Sequence, residues 1–305
     1  MAGSQDFSPD PRNAQALIYL NGRLVPRAEA KVSLFDAGFL VGDGIWEGLR
    51  LHKGALLFLD EHLERLYWGA RQIGLDIGLD RATLVSELKR TIDTNHMHDG
   101  VHVRLMVTRG EKSAPNQDPR NALGKPTVAI VAEYKLPGPK LMTEGLSLAT
   151  STVICTPAEM FDMRLNSHSR LNLIQALLQA IKAGADEALM LDPLGFVSSC
   201  NATNFFFVGA GVVTTSSGEY CFNGVTRNHV INLCRAAGVP VELRACTLAE
   251  VRAADEAFVT GTFGGITPVR VIDGQRMPGA LPGPVTRRVH ELYVGLQDAQ
   301  AARRP

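Results

Sequence analysis

One stretch, residues 163–208, constrains the fold more than any other, because it predicts a helix and then a hairpin without interruption. Apolar side chains recur there at helical spacing and make one apolar face: Leu171, Ile174, Leu177, Leu178 and Ile181. Ser167 or Ser169 can cap this helix, and Gly184 can end it. Residues 187–199 are typical of two strands joined by a turn. The pattern alone therefore predicts a βα-type unit.

Composition excludes several classes of protein. The chain has 305 residues, of which 45% are hydrophobic, as in a globular protein of one large or two medium domains. The formal net charge is zero and the isoelectric point is about 7.1, so there is no basic excess to bind nucleic acid or an anionic membrane. Residues 1–13 are polar and predict no signal peptide, and no apolar run is long enough to span a bilayer.

The cysteines predict neither a disulfide framework nor a metal site. They are odd in number and scattered, and none belongs to a C-x-x-C pair: Cys155, Cys200, Cys221, Cys234 and Cys246. A reducing compartment is the corresponding expectation, so we predict a cytoplasmic protein without a bound metal ion.

The first half of the chain follows an α/β pattern. A loose leader is predicted for residues 1–15, and glycines at positions 38, 42, 44 and 48 interrupt any long helix in residues 32–50. The remaining elements are predicted from periodicity and turn residues: strands at 16–20, 23–25, 101–108 and 127–132, and helices starting at Asp60 and over 81–96. Residues 136–139, with the sequence Leu-Pro-Gly-Pro, predict a linker between domains.

The second half also alternates between strands and helices. The predicted elements lie on both sides of the central stretch: a strand at 146–153, a hairpin of 205–208 with 211–215, a helix at 228–237, a strand at 255–260 and a closing helix at 284–293. The tail after the closing helix is expected to fray.

Four sequence strings together resemble one known family. They are VSLFDAGFLVGDGIWEGLR at 32–50, SRLN at 169–172, GVTR at 224–227, and GT followed by ITPV within 261–269. In this order they resemble the fold-type IV enzymes that use pyridoxal 5'-phosphate (PLP): branched-chain and D-amino-acid aminotransferases and aminodeoxychorismate lyases. The resemblance covers residues 16–295.

The resemblance implies a fold class and an assembly. The fold would be α/β (α+β) with two domains: a small N-terminal α/β domain over 1–135, a linker over 136–143 and a larger C-terminal pseudo-barrel domain over 144–305. The implied partners are a second copy of the chain, in a homodimer, and a small molecule such as an amino acid, a related amine or a keto acid.

The resemblance also implies a set of ligand-binding residues. The cofactor phosphate and ring would be bound by one group of residues: Arg65, Ser199, Val225, Thr226, Gly261 and Thr262. The substrate pocket would be lined by another: Trp46, Phe39, Arg104 and Arg109. Arginine forks and helix N-termini both suit a phosphate dianion, so a phosphate-bearing ligand is expected.

The chain departs from the family at two positions that carry the chemistry. Asn166 stands where the family has the lysine that forms a Schiff base with PLP, and an amide cannot form that bond. Ser199 stands where the family has a glutamate that keeps the pyridine nitrogen protonated. We therefore expect PLP, or otherwise phosphate or a phosphorylated ligand, to bind without the usual Schiff base, unless Lys140 or Lys182 replaces the missing lysine.

Two further residues have alternative interpretations. His168 either acts as an acid or base on a ligand or is a hydrogen-bonded residue at a helix start. Cys200 is either a nucleophile beside the ligand or a buried structural cysteine. Three functions follow: a PLP enzyme with altered chemistry, a PLP-independent enzyme that uses Asn166, His168 or Cys200, and a non-catalytic ligand-binding homologue.

Overall fold

The structure, a computed structural model, describes residues 3–303 and divides them into two compact units. The N-terminal unit comprises residues 9–136, 165–170 and 300–303. The C-terminal unit comprises residues 3–8, 137–164 and 171–299. Residues 165–170, which include Asn166, therefore leave the C-terminal half of the sequence and belong to the N-terminal unit.

The N-terminal unit is built on a six-stranded antiparallel sheet with the strand order β2-β1-β6-β5-β3-β4. Its strands are β1 (Leu17–Leu20), β2 (Arg23–Pro26), β3 (Gly44–His52), β4 (Ala55–Leu56), β5 (Val101–Thr108) and β6 (Thr127–Tyr134). Strict alternation of buried and partly exposed residues along β5 and β6 gives the sheet one apolar face.

Two long helices contribute to the apolar core of this unit. The helices of the unit are α1 (Ala37–Val41), α2 (Leu59–Gln72) and α3 (Arg81–Thr94). Leu63 and Leu66 of α2 and Leu84 and Leu88 of α3 lie in one cluster with the apolar side chains of β3, β5 and β6. Burial of this cluster is the main source of stability for the unit.

The C-terminal unit is built on a nine-stranded mixed sheet with the order β12-β11-β10-β13-β14-β7-β8-β9, and β15 pairs with β14. Its strands are β7 (Leu146–Thr150), β8 (Glu187–Leu191), β9 (Val197–Cys200), β10 (Asn204–Gly209), β11 (Val212–Thr215), β12 (Val241–Leu243), β13 (Glu256–Gly261), β14 (Gly265–Ile272) and β15 (Gln275–Arg276). Its helices are α4 (Leu141–Glu144), α5 (Ala158–Phe161), α6 (Leu171–Lys182), α7 (Val225–Ala236), α8 (Leu248–Arg252) and α9 (Pro284–Ala302).

Helix α6 does not bury the face that carries its large apolar residues. The buried positions are Ala176 and Ala180, which pack in the cluster that contains Ala188 and Met190 of β8. Four of the predicted stripe residues are largely exposed: Leu171 68%, Ile174 51%, Leu178 59% and Ile181 48%. Small side chains let the helix backbone lie close to the sheet, so the large ones remain at the surface.

Several predicted boundaries require correction. The leader is not loose throughout, because Ser4 is buried and residues 11–15 form a 3-10 helix. Residues 3–8 pack with the C-terminal unit, although the prediction assigned residues 1–135 to the small domain. The predicted linker 136–143 contains the start of α4. The predicted frayed tail instead continues α9 to Ala302. The placement of residues 3–8 depends on long-range packing, whereas the 3-10 helix at 11–15 has a local cause, the side-chain cap from Asp10.

No helix among the described residues 3–303 is long and apolar enough to cross a membrane. Within the same residues, no cluster of histidine, cysteine and carboxylate side chains has the arrangement of a metal site.

Candidate active site

Residues 165–170 attach to the edge of β3. The backbone N–H of Trp46 donates to the carbonyl oxygen of Asn166 at 2.9 Å. The backbone N–H of His168 donates to the carbonyl oxygen of Gly44, also at 2.9 Å. The indole N–H of Trp46 donates to the carbonyl of Ser167 at 3.1 Å. These three bonds fix the segment on the strand that carries the glycine-rich signature.

Asn166 is buried, with 6% of its surface exposed, and its side chain is engaged within the segment. Its amide oxygen Oδ1 accepts a hydrogen bond from Nη2 of Arg170. Nε of the same arginine donates to the carbonyl of Ser167 at 2.9 Å. One guanidinium thus binds both the side chain of Asn166, which the family resemblance puts at the lysine position, and the backbone of the same segment.

Positive charge is concentrated around Trp46. The guanidinium carbon of Arg104 lies 3.3 Å from the centre of the indole ring, and that of Arg170 lies 5.6 Å from it. Burial lowers the pKa of Arg104 to about 10, although Glu47 opposes the effect. Burial and the nearby Arg104 lower the pKa of Arg170 to about 10 as well. Both groups stay charged at neutral pH, so this region favours an anion.

His168 is neutral at pH 7. Burial and the charge of Arg104 lower its pKa to about 4. Its Nε2 atom is buried without a hydrogen-bond partner among residues 3–303. Close packing accounts for the glycine at position 44, because a Cβ there would lie 2.5 Å from the carbonyl of Val107 and 2.7 Å from Cδ2 of His168.

Arg65 lies on α2 and is held by a buried carboxylate. Nε and Nη2 of Arg65 donate to the two oxygens of Glu47 at 2.8 and 2.7 Å, and Nδ1 of His62 lies 2.7 Å from Oε2 of Glu47. Burial alone would raise the pKa of Glu47, but Arg65 and His62 lower it to about 2. Glu47 therefore stays ionised and fixes the orientation of the predicted phosphate ligand Arg65.

The other two predicted pocket residues have different environments. Phe39 lies on α1 and is 66% exposed. Arg109 binds both oxygens of Asp43 at 2.6 and 3.0 Å and also donates to the carbonyls of Ile73 and Gly74, each at 2.8 Å. These four bonds use most of the donor capacity of Arg109, so its observed environment is that of a structural residue.

Ser199 and Cys200 lie at the end of β9 in the C-terminal unit. The hydroxyl of Ser199 donates to the carbonyl of Thr203 at 2.8 Å, and Nδ2 of Asn204 lies 3.3 Å from the Ser199 oxygen. Cys200 is buried, and burial raises the pKa of its thiol well above the usual value. This environment suits a structural cysteine better than a nucleophile, which requires the thiolate.

The C-terminal unit contains two predicted phosphate-binding turns. One lies at the start of α7, and the other joins β13 to β14. Gly224 is the N-cap of α7, and no side chain within residues 3–303 caps the helix by a hydrogen bond. A Cβ at Gly224 would lie 2.4 Å from Oδ1 of Asn204, so close packing requires glycine there. The hydroxyls of Thr226 and Tyr293 lie 3.4 Å apart. Gly261 ends β13, and Thr262 opens the second turn, which leads into β14.

Two buried carboxylates were missed by the sequence analysis as site residues. Glu47 lies on the same buried face of β3 as Ile45 and Leu49. Glu187 is the first residue of β8, whose first four residues are all buried. A carboxylate at an inward strand position needs charged or hydrogen-bonding partners. A carboxylate among the apolar residues of a strand was the signal that could have identified both.

Comparison with known proteins identifies the family. Residues 44–272 match the family described as amino-transferase class IV. Because the match spans more than half of the chain, the protein belongs to the class IV aminotransferase family.

Related sequences support this assignment. Branched-chain-amino-acid aminotransferase-like protein 2 of Arabidopsis thaliana is 38% identical over 290 residues, which cover 95% of this chain and 52% of the relative. The chain thus spans about half the length of that relative. A putative branched-chain-amino-acid aminotransferase of Methanocaldococcus jannaschii is 37% identical over 278 residues, which cover 90% of this chain and 94% of the relative.

A solved structure confirms the fold. The branched-chain aminotransferase of the thermophilic archaeon Thermoproteus uzoniensis, crystallised with norvaline, is similar to this chain with a TM-score of 0.83 at 30% identity. The similarity covers 93% of this chain and 95% of the other. The predicted mixed α/β fold of the fold-type IV aminotransferases is therefore confirmed.

A branched-chain aminotransferase that is 29% identical to this chain, with a TM-score of 0.85, has been solved with pyridoxamine 5'-phosphate and with N-(5'-phosphopyridoxyl)-L-glutamate, which are both derivatives of PLP. The start of α7, which lacks a side-chain cap among the described residues, fits a phosphate group. The residues expected to bind the pyridine ring and its aldehyde do not fit a covalently bound PLP: Asn166 is an amide bonded to Arg170, and the hydroxyl of Ser199 carries no negative charge. Lys140 is exposed beside Glu144 at 3.3 Å, and Lys182 is exposed on α6.

Proposed function

We propose that this chain is a class IV aminotransferase homologue that binds a phosphate-bearing small molecule reversibly and does not carry out lysine-dependent transamination at position 166. PLP itself, inorganic phosphate and other phosphorylated compounds are the candidate ligands. Arg65, Val225, Thr226, Gly261 and Thr262 would hold the phosphate.

The hydrogen bond between Arg170 and Asn166 carries this proposal. A Schiff base needs a neutral primary amine, and the family lysine supplies it. Here an amide occupies the expected position and a guanidinium fills the space beside it. The replacement of the expected glutamate by Ser199 acts in the same direction, because a serine hydroxyl cannot stabilise a protonated pyridine as a carboxylate does.

The positive charge around Trp46 supports an anionic second ligand or substrate group. Arg104 and Arg170 remain protonated at neutral pH, since their pKa values are about 10. A carboxylate is the group that an amino acid or keto acid would offer to them. We therefore propose amino acids and keto acids as the substrate class to test first.

His168 favours a second candidate function, PLP-independent catalysis. Its imidazole is neutral at pH 7, and within the described part of the chain its buried Nε2 has no hydrogen-bond partner. A neutral imidazole can accept a proton from a bound ligand. A His168→Gln variant that binds ligand as the parent does, but loses turnover, would support this function.

We also propose a homodimer in a reducing compartment. Large apolar side chains are exposed on each unit, among them Leu34 and Phe39 of the N-terminal unit and Leu171 and Leu178 of the C-terminal unit. Exposed apolar patches of this kind mark interfaces between proteins. All five cysteines are free thiols, which suits the cytoplasm. Sedimentation equilibrium would measure the mass, and a monomer at micromolar concentration would contradict the dimer.

Titration with PLP tests the main proposal. The purified protein is titrated with PLP, reduced with borohydride and mapped by peptide mass spectrometry. We expect saturable binding that inorganic phosphate displaces, and no reduced adduct on any lysine. An adduct on one lysine would overturn the proposal and would identify the residue that replaces the family lysine.

Two substitutions serve as controls for that experiment. Asn166→Lys places an amine beside the Arg170 guanidinium, which favours the neutral amine that reacts with an aldehyde. We expect a borohydride-trapped adduct at position 166 in this variant. Gln175→Lys adds an amine on the exposed surface of α6 and should give none.

A further inference from the structure

A buried side chain close to the start of the described chain is bonded to a carboxylate in the middle of the C-terminal unit. Ser4 is buried, and its hydroxyl donates to Oε1 of Glu187. Glu187 itself is buried at the start of β8. The contact joins residues 183 positions apart in the sequence.

The second oxygen of Glu187 holds the loop that positions Ser199. The hydroxyl of Thr203 donates to Oε2 of Glu187 at 2.7 Å. The carbonyl of Thr203 in turn accepts the hydroxyl of Ser199 at 2.8 Å and the N–H of Cys200 at 2.9 Å. A continuous set of hydrogen bonds thus runs from Ser4 through Glu187 and Thr203 to Ser199.

The same segment lies against the second predicted phosphate-binding turn. A Cβ added at Gly264 would lie 3.5 Å from the carbonyl oxygen of Ser4 and 3.2 Å from the hydroxyl of Thr267. On the other side, a Cβ at Gly3 would lie 3.3 Å from the carbonyl oxygen of Asp186. The backbone at Ser4 therefore fills the space between β8 and the turn that follows β13.

We propose that Ser4 and Glu187 are positioning residues, through which residues 3–8 brace both the loop that follows β9 and binds Ser199, residues 201–203, and the turn that carries Thr262. The inference depends on the proposed function, because positioning Ser199 and Thr262 matters for function only if these two residues bind a ligand. Neither Ser4 nor Glu187 is proposed to touch that ligand.

The charge of Glu187 changes near neutral pH. Burial raises its pKa to about 7, and the hydrogen bonds from Thr203 and Ser4 only partly oppose this. The groups around it are Asp186 next to it in the chain, Cys200 at the end of β9, Thr203 on the loop that follows, and Ser4. An ionised carboxylate only accepts hydrogen bonds, whereas a protonated one must donate one. The hydroxyls of Ser4 and Thr203 can both donate to Glu187 as observed only when its carboxylate is ionised, so this set of hydrogen bonds should be complete above about pH 7.

Hydrogen exchange of the ligand-free protein tests the brace directly. We expect Ser4→Ala and Glu187→Gln to raise the exchange rates of amides in residues 199–204 and 261–267, with no change in β5. Ser8→Ala is the matched control, since Ser8 is exposed in the same segment. Equal exchange in Ser4→Ala and Ser8→Ala would overturn the proposal. If Glu187→Gln fails to fold, Ser4→Ala alone decides the result.

The pH profile of PLP binding provides a readout that a purely structural role would not move. We expect the dissociation constant of the parent protein to fall as pH rises from 6 to 8, relative to that of Glu187→Gln. The titration of PLP is common to both proteins and cancels in this ratio. Ser4→Ala should weaken binding about twofold to tenfold, which is the effect of losing one typical hydrogen bond.

The proposed function and the positioning role of Ser4 and Glu187 are refuted by different results. If the parent binds neither PLP nor inorganic phosphate, the proposed function is wrong, although faster exchange in Ser4→Ala would still establish the brace. If the parent binds PLP, but the ratio of its dissociation constant to that of Glu187→Gln does not change between pH 6 and 8, the positioning role is wrong and the proposed function stands.

Discussion

Glu47→Gln tests whether the buried carboxylate of β3 stabilises the fold by its charge. Glu47 is fully buried and accepts two bonds from Arg65 and one from His62. Its pKa falls from 4.5 to about 2 in the folded protein, despite the opposing effect of burial, because of these partners. That difference corresponds to about 3 kcal/mol of stability at pH 7. Removing one partner of a buried ion pair typically costs about 3–5 kcal/mol, which agrees.

The pH dependence of this effect follows from the sign of the shift. Because the pKa of Glu47 is lowered on folding, its contribution is complete above about pH 4.5 and is lost as pH falls toward 2. The stability difference between the parent and Glu47→Gln should therefore shrink from about 3 kcal/mol at pH 7 to about 2 kcal/mol at pH 3.5.

Urea unfolding, followed by circular dichroism at several pH values, measures this difference. Glu64→Gln is the matched control, because Glu64 is exposed on the same helix as Arg65 and should change stability by less than about 0.5 kcal/mol. A Glu47→Gln difference below about 1 kcal/mol at pH 7, or one that stays constant down to pH 3.5, would refute the reasoning.

Three other substitutions or measurements test the packing. Gly44→Ala places a Cβ 2.5 Å from the carbonyl of Val107 and should destabilise by about 1–3 kcal/mol in urea, whereas Gly209→Ala meets no atom of the described chain within 4 Å and should change little. Glu256→Gln removes charge from the acceptor of two backbone N–H groups and a hydroxyl at the start of α9, at 2.7–3.0 Å, and should lower the urea midpoint. Ellman's reagent should react slowly with the native protein and titrate five thiols after unfolding, because every cysteine is buried, and one fast native equivalent would contradict this.

The order and type of most elements could be predicted from the sequence because they depend on local patterns. Alternation predicted β5 and β6, and helical spacing predicted α3 and α6. The glycine-rich string of residues 32–50 was also informative, since Gly44 leaves no room for a side chain. These signals reside in neighbouring residues and need no knowledge of the fold.

Which face of α6 is buried could not be predicted from the same signals. Spacing indicates that Leu171, Ile174 and Leu178 share a face, but it does not say what covers that face. The tertiary structure places Ala176 and Ala180 against the sheet, because only small side chains permit the close approach of helix and strand. The large side chains remain available for another partner.

The sequence by itself determined the order and type of most strands, helices and turns, and it predicted that Asn166 and Ser199 stand where the family has a lysine and a glutamate. Only the tertiary structure decided what surrounds them: Arg170 clasps Asn166, and Thr203 holds Ser199. The physical reason is range. Periodicity and turn chemistry act over a few residues, whereas the partner of a buried polar group is chosen by whichever distant segment the fold brings within hydrogen-bond distance, as Ser4 is brought to Glu187.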